Sequence, residues 1–179
     1  MSSHQLPEPI NTDDFVEMLW RELSEIIQYD EEKFNDDSDL RIPDDLPFSI
    51  HDVARTYYET PYLFWYATYA TLACKFPAKA PEVLKQFTEV LLRRMPDRVH
   101  PDVFRIYATR FQPAMQLPQP GTEPMKSDVI LSGAGYAAYR IFGKQKGDQD
   151  LVIYMTLPAI RIAGLFQALH DMLEDVHPV

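Results

Sequence analysis

Glycine is absent from the first 120 of the 179 residues, and all six glycines lie at position 121 or later. Proline therefore interrupts the early part of the chain, as is typical of helices joined by tight stops. Apolar residues recur there every three or four positions, which is the spacing of one helix face. The pattern predicts an all-helical N-terminal part.

Five helices are predicted before position 113. The first is capped by Asn11 or Thr12 and is ended by the polar run that starts at Tyr29. The second opens at Ser49, which forms a capping box with Asp52 and extends to about Glu59. The other three are predicted from about Tyr62 to Phe76, from Pro81 to Met95, and from Pro101 to about Phe111.

The third predicted helix lies in an aromatic stretch, residues 57–76, with eight aromatic side chains in twenty positions. Pro61 and Pro77 bracket only fifteen residues, fewer than the roughly 20 that a membrane-spanning helix needs. Apolar residues cover all its sides, which predicts a helix enclosed in the core. The alternative is a pocket or partner surface lined by Tyr57, Tyr58, Tyr62, Trp65 and Tyr69.

Beyond a Pro-rich connector, the apolar period changes from near 3.6 to near 2. Residues 139–142 and 151–156 alternate on either side of a turn-rich segment, residues 143–150, which predicts a β-hairpin. Residues 128–132 can add a third strand, Gly133 and Gly135 then form a turn or bulge, and Pro158 opens a closing helix. The expected fold is α+β and mainly α: about five helices, then a small antiparallel hairpin or three-stranded meander packed by the C-terminal helix.

The length and apolar content predict one globular domain over residues 1–179. Within it we expect a flexible tail at residues 1–10, a mobile acidic loop at 30–46 and the Pro-rich connector at 113–127. The acidic N-terminal segment does not resemble a secretory signal, and the single cysteine, Cys74, excludes an internal disulfide framework. These features predict a cytoplasmic protein with no membrane segment.

No motif in the chain matches a known catalytic, metal-binding or phosphate-binding pattern, and no cofactor or metal is expected. The polar residues that could serve a reaction are His100, Asp102 and Arg105, at the start of the fifth helix. They define one hypothesis, an enzyme of unfamiliar type with a cleft beside the tyrosine-rich helix. The same three residues also suit local helix capping and a surface ion pair.

Charge is strongly asymmetric along the chain. Residues 1–50 hold fourteen acidic and three basic residues, a net charge of −11, and residues 51–179 hold thirteen acidic and fourteen basic residues, a net charge of +1. The overall charge of −10 disfavours direct nucleic-acid binding, because phosphate attraction drives that binding. The asymmetry suits an acidic surface that meets a basic protein partner, or a segment that lies against the chain's own basic helices.

The preferred hypothesis is a non-enzymatic interaction protein with an inhibitor, immunity-type or adaptor role. Its predicted partner-binding residues are acidic: Asp36, Asp37, Asp39, Asp44 and Asp45. An alternative binding face, for an acidic partner, is basic: Arg93, Arg94, Arg98, Arg105 and Arg110. The residues alone specify no oligomeric state.

Overall fold

A computed structural model of the chain describes residues 8–35, 48–114 and 127–179. These ranges contain seven helices, namely α1 (Thr12–Asn35), α2 (Ile50–Tyr58), α3 (Thr60–Lys75), α4 (Ala80–Arg94), α5 (Pro101–Ala114), α6 (Ser127–Phe142) and α7 (Leu151–Asp175). Two three-residue strands, β1 (Glu8–Ile10) and β2 (Val176–Pro178), pair in parallel and join the two ends of the described chain.

The five N-terminal helices are confirmed, and their caps follow the sequence signals. Asn11 Oδ1 accepts a 2.9 Å hydrogen bond from the backbone N–H of Asp14 at the start of α1. Ser49 and Asp52 form the predicted capping box: the Ser49 N–H donates to Asp52 Oδ2 at 2.8 Å, and the Asp52 N–H donates to Ser49 Oγ at 3.3 Å. These side chains satisfy amide groups that a helix start leaves without partners.

The aromatic stretch forms the centre of the core, as predicted. Helix α3 contacts all six other described helices, and thirteen of its sixteen residues are buried. Leu63, Phe64 and Tyr66 are fully enclosed on different sides of the helix. A helix that is apolar all round cannot keep one face in water without exposing large side chains, so its neighbours cover it on every side.

The predicted α+β fold is wrong, because the segment assigned to a hairpin forms two helices. Residues 139–142 end α6 and residues 151–156 begin α7. The predicted turn between the two segments is present: Gly143 and Gly147 have φ angles of 70° and 109°, which glycine adopts without strain. The turn therefore joins antiparallel helices instead of strands, and the predicted strand at 128–132 and the turn or bulge at Gly133 and Gly135 lie inside α6.

Pro158 lies within α7 and does not open it. The two turns before it are held by contacts distant in sequence, since the Tyr154 ring packs edge-on against Phe48 and also against Phe142, with centroid separations of 5.7 and 5.1 Å. Such contacts compensate for the hydrogen bond that proline removes from a helix. The local sequence contains no sign of them.

The three segments that the sequence marked as irregular are only partly described. Residues 8–10 form β1, residues 30–35 continue α1, and residues 113–114 and 127 belong to α5 and α6. The remainder of the predicted acidic loop and of the Pro-rich connector lies outside the described residues.

Among the described helices, α7 is long and apolar enough to cross a membrane by length and composition. Of the most apolar 18-residue window of α7, a share of 22% is buried inside the fold. The other side of α7 packs against α3 and α6 through buried side chains that include Ile162, Phe166 and Leu169.

Candidate protein-binding site

A groove of about 510 Å³ runs along one face of α1. Its residues recur at helical spacing opposite the buried stripe of Phe15, Leu19 and Leu23, so both faces follow from the same period. The groove is lined by Arg21, Ser24 and Gln28 and by six half-buried or exposed side chains that are apolar or acidic: Ile10, Met18, Trp20, Asp14, Glu17 and Glu25. We refer to these six residues as the α1 groove.

One wall of the α1 groove is fixed by an arginine from α4. Arg94 Nη1 and Nη2 donate to Glu17 Oε1 and Oε2 at 2.9 and 2.8 Å, which is the bidentate geometry of a strong pair. The hydrogen bonds from Arg94 lower the pKa of the Glu17 carboxyl, and the guanidinium lies 5.0 Å from the centroid of the Trp20 ring. Arg94 therefore holds both Glu17 and Trp20 in position.

Near the groove, the Glu22 carboxyl is partly buried and is affected by the charges of two other carboxylates. Partial burial and the charges of Glu25 and Asp171 raise the pKa of the Glu22 carboxyl above its ordinary value, and Arg21 partly offsets this. A positive charge near Glu22 would favour the ionised form of its carboxyl. The surface near α1 thus combines apolar contact area with negative charge that the folded chain does not fully compensate.

The five aspartates predicted to bind a partner, Asp36, Asp37, Asp39, Asp44 and Asp45, all lie outside the described residues. Nine other acidic residues of the first fifty lie in the described range 8–35, against Arg21 and Lys33. Sequence reasoning missed the groove, whose signal was the recurrence of Asp14, Met18 and Glu25 at intervals of four and seven positions on one face of α1.

The predicted basic face is divided among separate contacts. Arg94 binds Glu17, Arg98 Nη1 lies 3.6 Å from Glu31 Oε1, and Arg105 binds Asp102. Arg93 is exposed, and the side chain of Arg110 lies outside the description. The two pairs with Glu17 and Glu31 show acids of α1 lying against basic residues of the same chain.

His100, Asp102 and Arg105 come together at the start of α5, but their side chains face solvent. The exposed fractions are 67% for His100, 56% for Asp102 and 74% for Arg105. The Asp102 N–H donates to His100 Nδ1 at 3.3 Å, which is a local cap. His100 reaches the tyrosine-rich helix through its backbone, whose N–H donates to Tyr62 Oη at 2.7 Å. This arrangement suits the helix-capping interpretation of these residues.

A buried ion pair that the sequence did not indicate joins α6 to the α2–α3 junction. Glu59 is 6% exposed; its carboxylate accepts hydrogen bonds from Arg140 Nε and, at 3.2 Å, from Arg140 Nη2. The Tyr107 hydroxyl donates to the same carboxylate at 3.1 Å, and burial raises the pKa of that hydroxyl. Each charged group has a partner, so the pair fixes the geometry of the junction.

A second buried ion pair, between Asp30 and Arg161, lies against Thr60, the residue that follows Glu59. Arg161 of α7 donates to the Asp30 carboxylate and, at 3.2 to 3.3 Å, to the Thr60 hydroxyl. Burial raises the pKa of Asp30, although the charges of Arg161 and Arg98 act in the opposite direction. Asp30, predicted to lie in a mobile loop, is instead a 5% exposed residue that links α1 to α7.

Among the residues with described positions, no group of three or more His, Cys, Asp and Glu side chains could hold a metal ion. Comparisons with protein-family models, with curated proteins and with solved structures found no match to this chain.

Proposed function

We propose that this protein works without chemistry, by binding a basic segment of another protein in the α1 groove. An inhibitor, immunity-type or adaptor role would use such a surface. The observation that carries the proposal is the groove itself, in which Trp20 and Met18 lie among the carboxylates of Asp14, Glu17 and Glu25.

The charge of the surface selects a basic occupant. Described residues 8–35 hold nine acidic and two basic residues, so a lysine or arginine is attracted to this surface. Complementary potential of this kind speeds encounter and rejects partners of the same sign. Asp36, Asp37, Asp39, Asp44 and Asp45 follow α1 in sequence and belong to the same proposal as further steering charges.

The apolar side chains of the groove, Ile10, Met18 and Trp20, favour a protein segment over an isolated cation as the occupant. Tryptophan and methionine are enriched where proteins bind other proteins, because their large side chains give contact area to an apolar face. Arg94 already holds the Trp20 ring, so little side-chain freedom is lost on binding. The expected occupant is an amphipathic helix with lysines or arginines on one side and large apolar residues on the other.

A labelled peptide of that design tests the proposal by fluorescence anisotropy. We expect it to bind the wild-type protein, and we expect the double variant Asp14→Asn/Glu25→Gln to bind at least about tenfold more weakly, which corresponds to about 1.4 kcal/mol. Trp20 emission should change on binding, and the change should be absent in Trp20→Phe. Trp65 is buried and serves as an internal reference.

The matched control is Glu82→Gln/Asp128→Asn, which removes two exposed carboxylates from α4 and α6. If both double variants weaken binding equally, the peptide responds to net charge alone and the α1 groove is not its site. A peptide of the same pattern with glutamates in place of lysines should not bind.

A further inference from the structure

A cavity of about 690 Å³ lies between α5, α6 and the beginning of α7. Its volume falls within the range of about 300 to 1,000 Å³ that is typical of small-molecule sites. Apolar side chains from all three helices line it: Ile106, Leu131, Leu151 and Met155. Leu131 is 49% exposed and Ile106 is 39% exposed, so apolar contact area in this cavity is accessible to a ligand.

The cavity has an apolar end and a cationic end. Leu131 and Tyr139 both line it, and they lie about 12 Å apart along the axis of α6. After α6 the chain turns back on itself, and the backbone N–H of Lys144 donates to the Ala138 carbonyl oxygen at 3.4 Å. The turn thereby places Lys144 and Lys146 in the cavity wall at the end where Tyr139 lies. A ligand that follows α6 therefore meets apolar side chains at one end and ammonium groups at the other.

The charged residues of this turn are sorted by sign. Residues 143–150 carry two lysines and two aspartates, and of these four the two lysines line the cavity. Asp148 Oδ2 accepts a 2.8 Å hydrogen bond from the backbone N–H of Gln145, and Asp150 Oδ2 accepts one of 2.5 Å from Lys144 Nζ. Lys146 is exposed and forms no ion pair with a described carboxylate. The charge that a ligand meets in the cavity is therefore the positive charge of Lys146.

Gly135 keeps the middle of the cavity wall open. A glycine inside a helix is less stable there than alanine, so a reason for it is expected in its surroundings. For Gly133 the reason is packing, because the Tyr66 ring occupies the place of a Cβ atom. A Cβ atom at Gly135 would meet Met155 alone, at an ordinary 3.7 Å, so helix packing does not require glycine at this position. Because Gly135 and Met155 both line the cavity, a larger side chain at position 135 would take up space that a ligand could use.

We propose that this cavity binds a small amphipathic anion of the fatty-acid type, with its hydrocarbon chain along α6 and its carboxylate at Lys146. The chain would cover the apolar wall between Leu131 and Tyr139, which removes apolar surface from water. The carboxylate and Lys146 both stay at the solvent edge, so neither charge pays the cost of burial. A cationic head group would be repelled by the same lysine. The proposal does not rest on the α1 groove, which is acidic and lies on another helix.

Decanoate is the probe, and its binding is followed by NMR of the full chain with labelled methionine methyl groups. The chain has seven methionines, and Met155→Leu identifies the signal of the one in the cavity. We expect decanoate to shift the Met155 methyl signal and to saturate the shift below about 10 mM, and we expect it to leave the methyl of Met18 in the α1 groove unchanged. Decyltrimethylammonium has the same chain and the opposite charge, and it should bind at least about fivefold more weakly.

Two variants with matched controls test the ends of the ligand separately. Lys146→Glu should weaken decanoate binding at least about fivefold, whereas Lys85→Glu, which makes the same change of charge at an exposed residue of α4, should bind like the wild type. Gly135→Leu should weaken binding at least about tenfold because its side chain fills the cavity. Its control is Gly164→Leu, at a helix glycine that lines a separate recess between α2 and α7. Thermal melts establish that each variant folds; if Gly135→Leu does not, the exposed Lys146→Glu pair carries the test.

No saturable shift of the Met155 methyl up to about 10 mM decanoate would overturn the proposal, as would equal affinity for the anionic and cationic probes. Equal losses in Lys146→Glu and Lys85→Glu would mean that decanoate responds to net charge alone. A loss in Gly164→Leu without one in Gly135→Leu would move the ligand to the other recess. Because these variants leave Asp14 and Glu25 unchanged, failure here is separable from failure of the α1 groove proposal.

Discussion

The Tyr66 ring of α3 lies directly against the backbone of Gly133 in α6. A Cβ atom at position 133 would lie 2.5 Å from Tyr66 Cε1 and 3.0 Å from Ile162 Cδ1, so only glycine fits. The Tyr66 hydroxyl also donates a 2.7 Å hydrogen bond to the Val129 carbonyl oxygen, one turn earlier in α6. This close approach brings α6 against the central helix.

Gly133→Ala should destabilise the protein by about 1 to 3 kcal/mol, because the added methyl overpacks the contact with Tyr66. Gly135→Ala is the matched control in the same helix, where the new Cβ would meet Met155 at an ordinary 3.7 Å. There the better helix propensity of alanine should leave stability unchanged or raise it by up to about 1 kcal/mol. Urea unfolding of both variants measures the difference, and equal effects would mean that α6 does not approach α3 as closely as described.

Trp65→Ala should cost about 3 to 5 kcal/mol of unfolding free energy, since the side chain is 6% exposed and its Nε1–H donates to Thr88 Oγ1 at 2.9 Å. Tyr139→Ala removes an aromatic ring that is 53% exposed and should cost less than about 1 kcal/mol. Thermal melts compare the two variants. A melting temperature for Trp65→Ala within a degree or two of wild type would contradict the central position of α3.

Arg140→Met should cost about 3 to 5 kcal/mol, because it leaves the buried Glu59 carboxylate without its cation. Arg105→Met breaks the exposed pair with Asp102 and should change stability by no more than about 0.5 kcal/mol. Adding Glu59→Gln to Arg140→Met should recover part of the loss, which chemical denaturation can measure. No recovery would mean that Arg140 acts through packing and not through charge.

Glu22→Gln should raise the melting temperature at pH 7 and have little effect near pH 3. The pKa of Glu22 is raised above its ordinary value of 4.5, so the folded state holds the proton more tightly than the unfolded state. Stability linked to this group is therefore present at low pH and is lost as the pH rises through the folded pKa. Glutamine avoids that loss. Exposed Glu89→Gln is the control, and a Glu22→Gln effect that is constant with pH would indicate a packing change.

Changing Asp36, Asp37 and Asp39 together to asparagine should slow association with the basic peptide and leave the melting temperature unchanged. Long-range attraction is screened as the Debye length falls from about 10 Å at 0.1 M salt to about 3 Å at 1 M, so the wild-type rate should approach that of the variant in high salt. Stopped-flow anisotropy measures both rates. A variant that melts earlier but associates at the wild-type rate would assign these aspartates to the fold.

Local signals in the sequence determined the five N-terminal helices and the central position of α3. The Asn11 and Ser49 caps and the first-turn prolines act within one helical turn, and an all-round apolar helix has no stable position except the core. These features depend on neighbours a few residues away, which is why the sequence shows them directly. The acidic character of the α1 surface was likewise predictable from composition.

Tertiary structure alone decided that residues 128–142 and 151–157 are helical. Residues 139–142 and 151–156 are too few to distinguish a period of 2 from one of 3.6, and the contacts of Tyr154 with Phe48 and Phe142 favour a helix there. Gly133 was placed in a turn because the chain does not reveal that Tyr66, sixty-seven positions earlier, packs against it.

The pairing of charges likewise depends on contacts between residues that are distant in sequence. Asp30 and Arg161 are separated by 131 positions, and Glu59 and Arg140 by 81, yet each pair is in direct contact. Sequence alone determined which charges this protein carries and where the five N-terminal helices form, because those properties are local. Which carboxylate meets which arginine, and which acids stay at the surface, depends on burial, and burial is set only when the helices pack together.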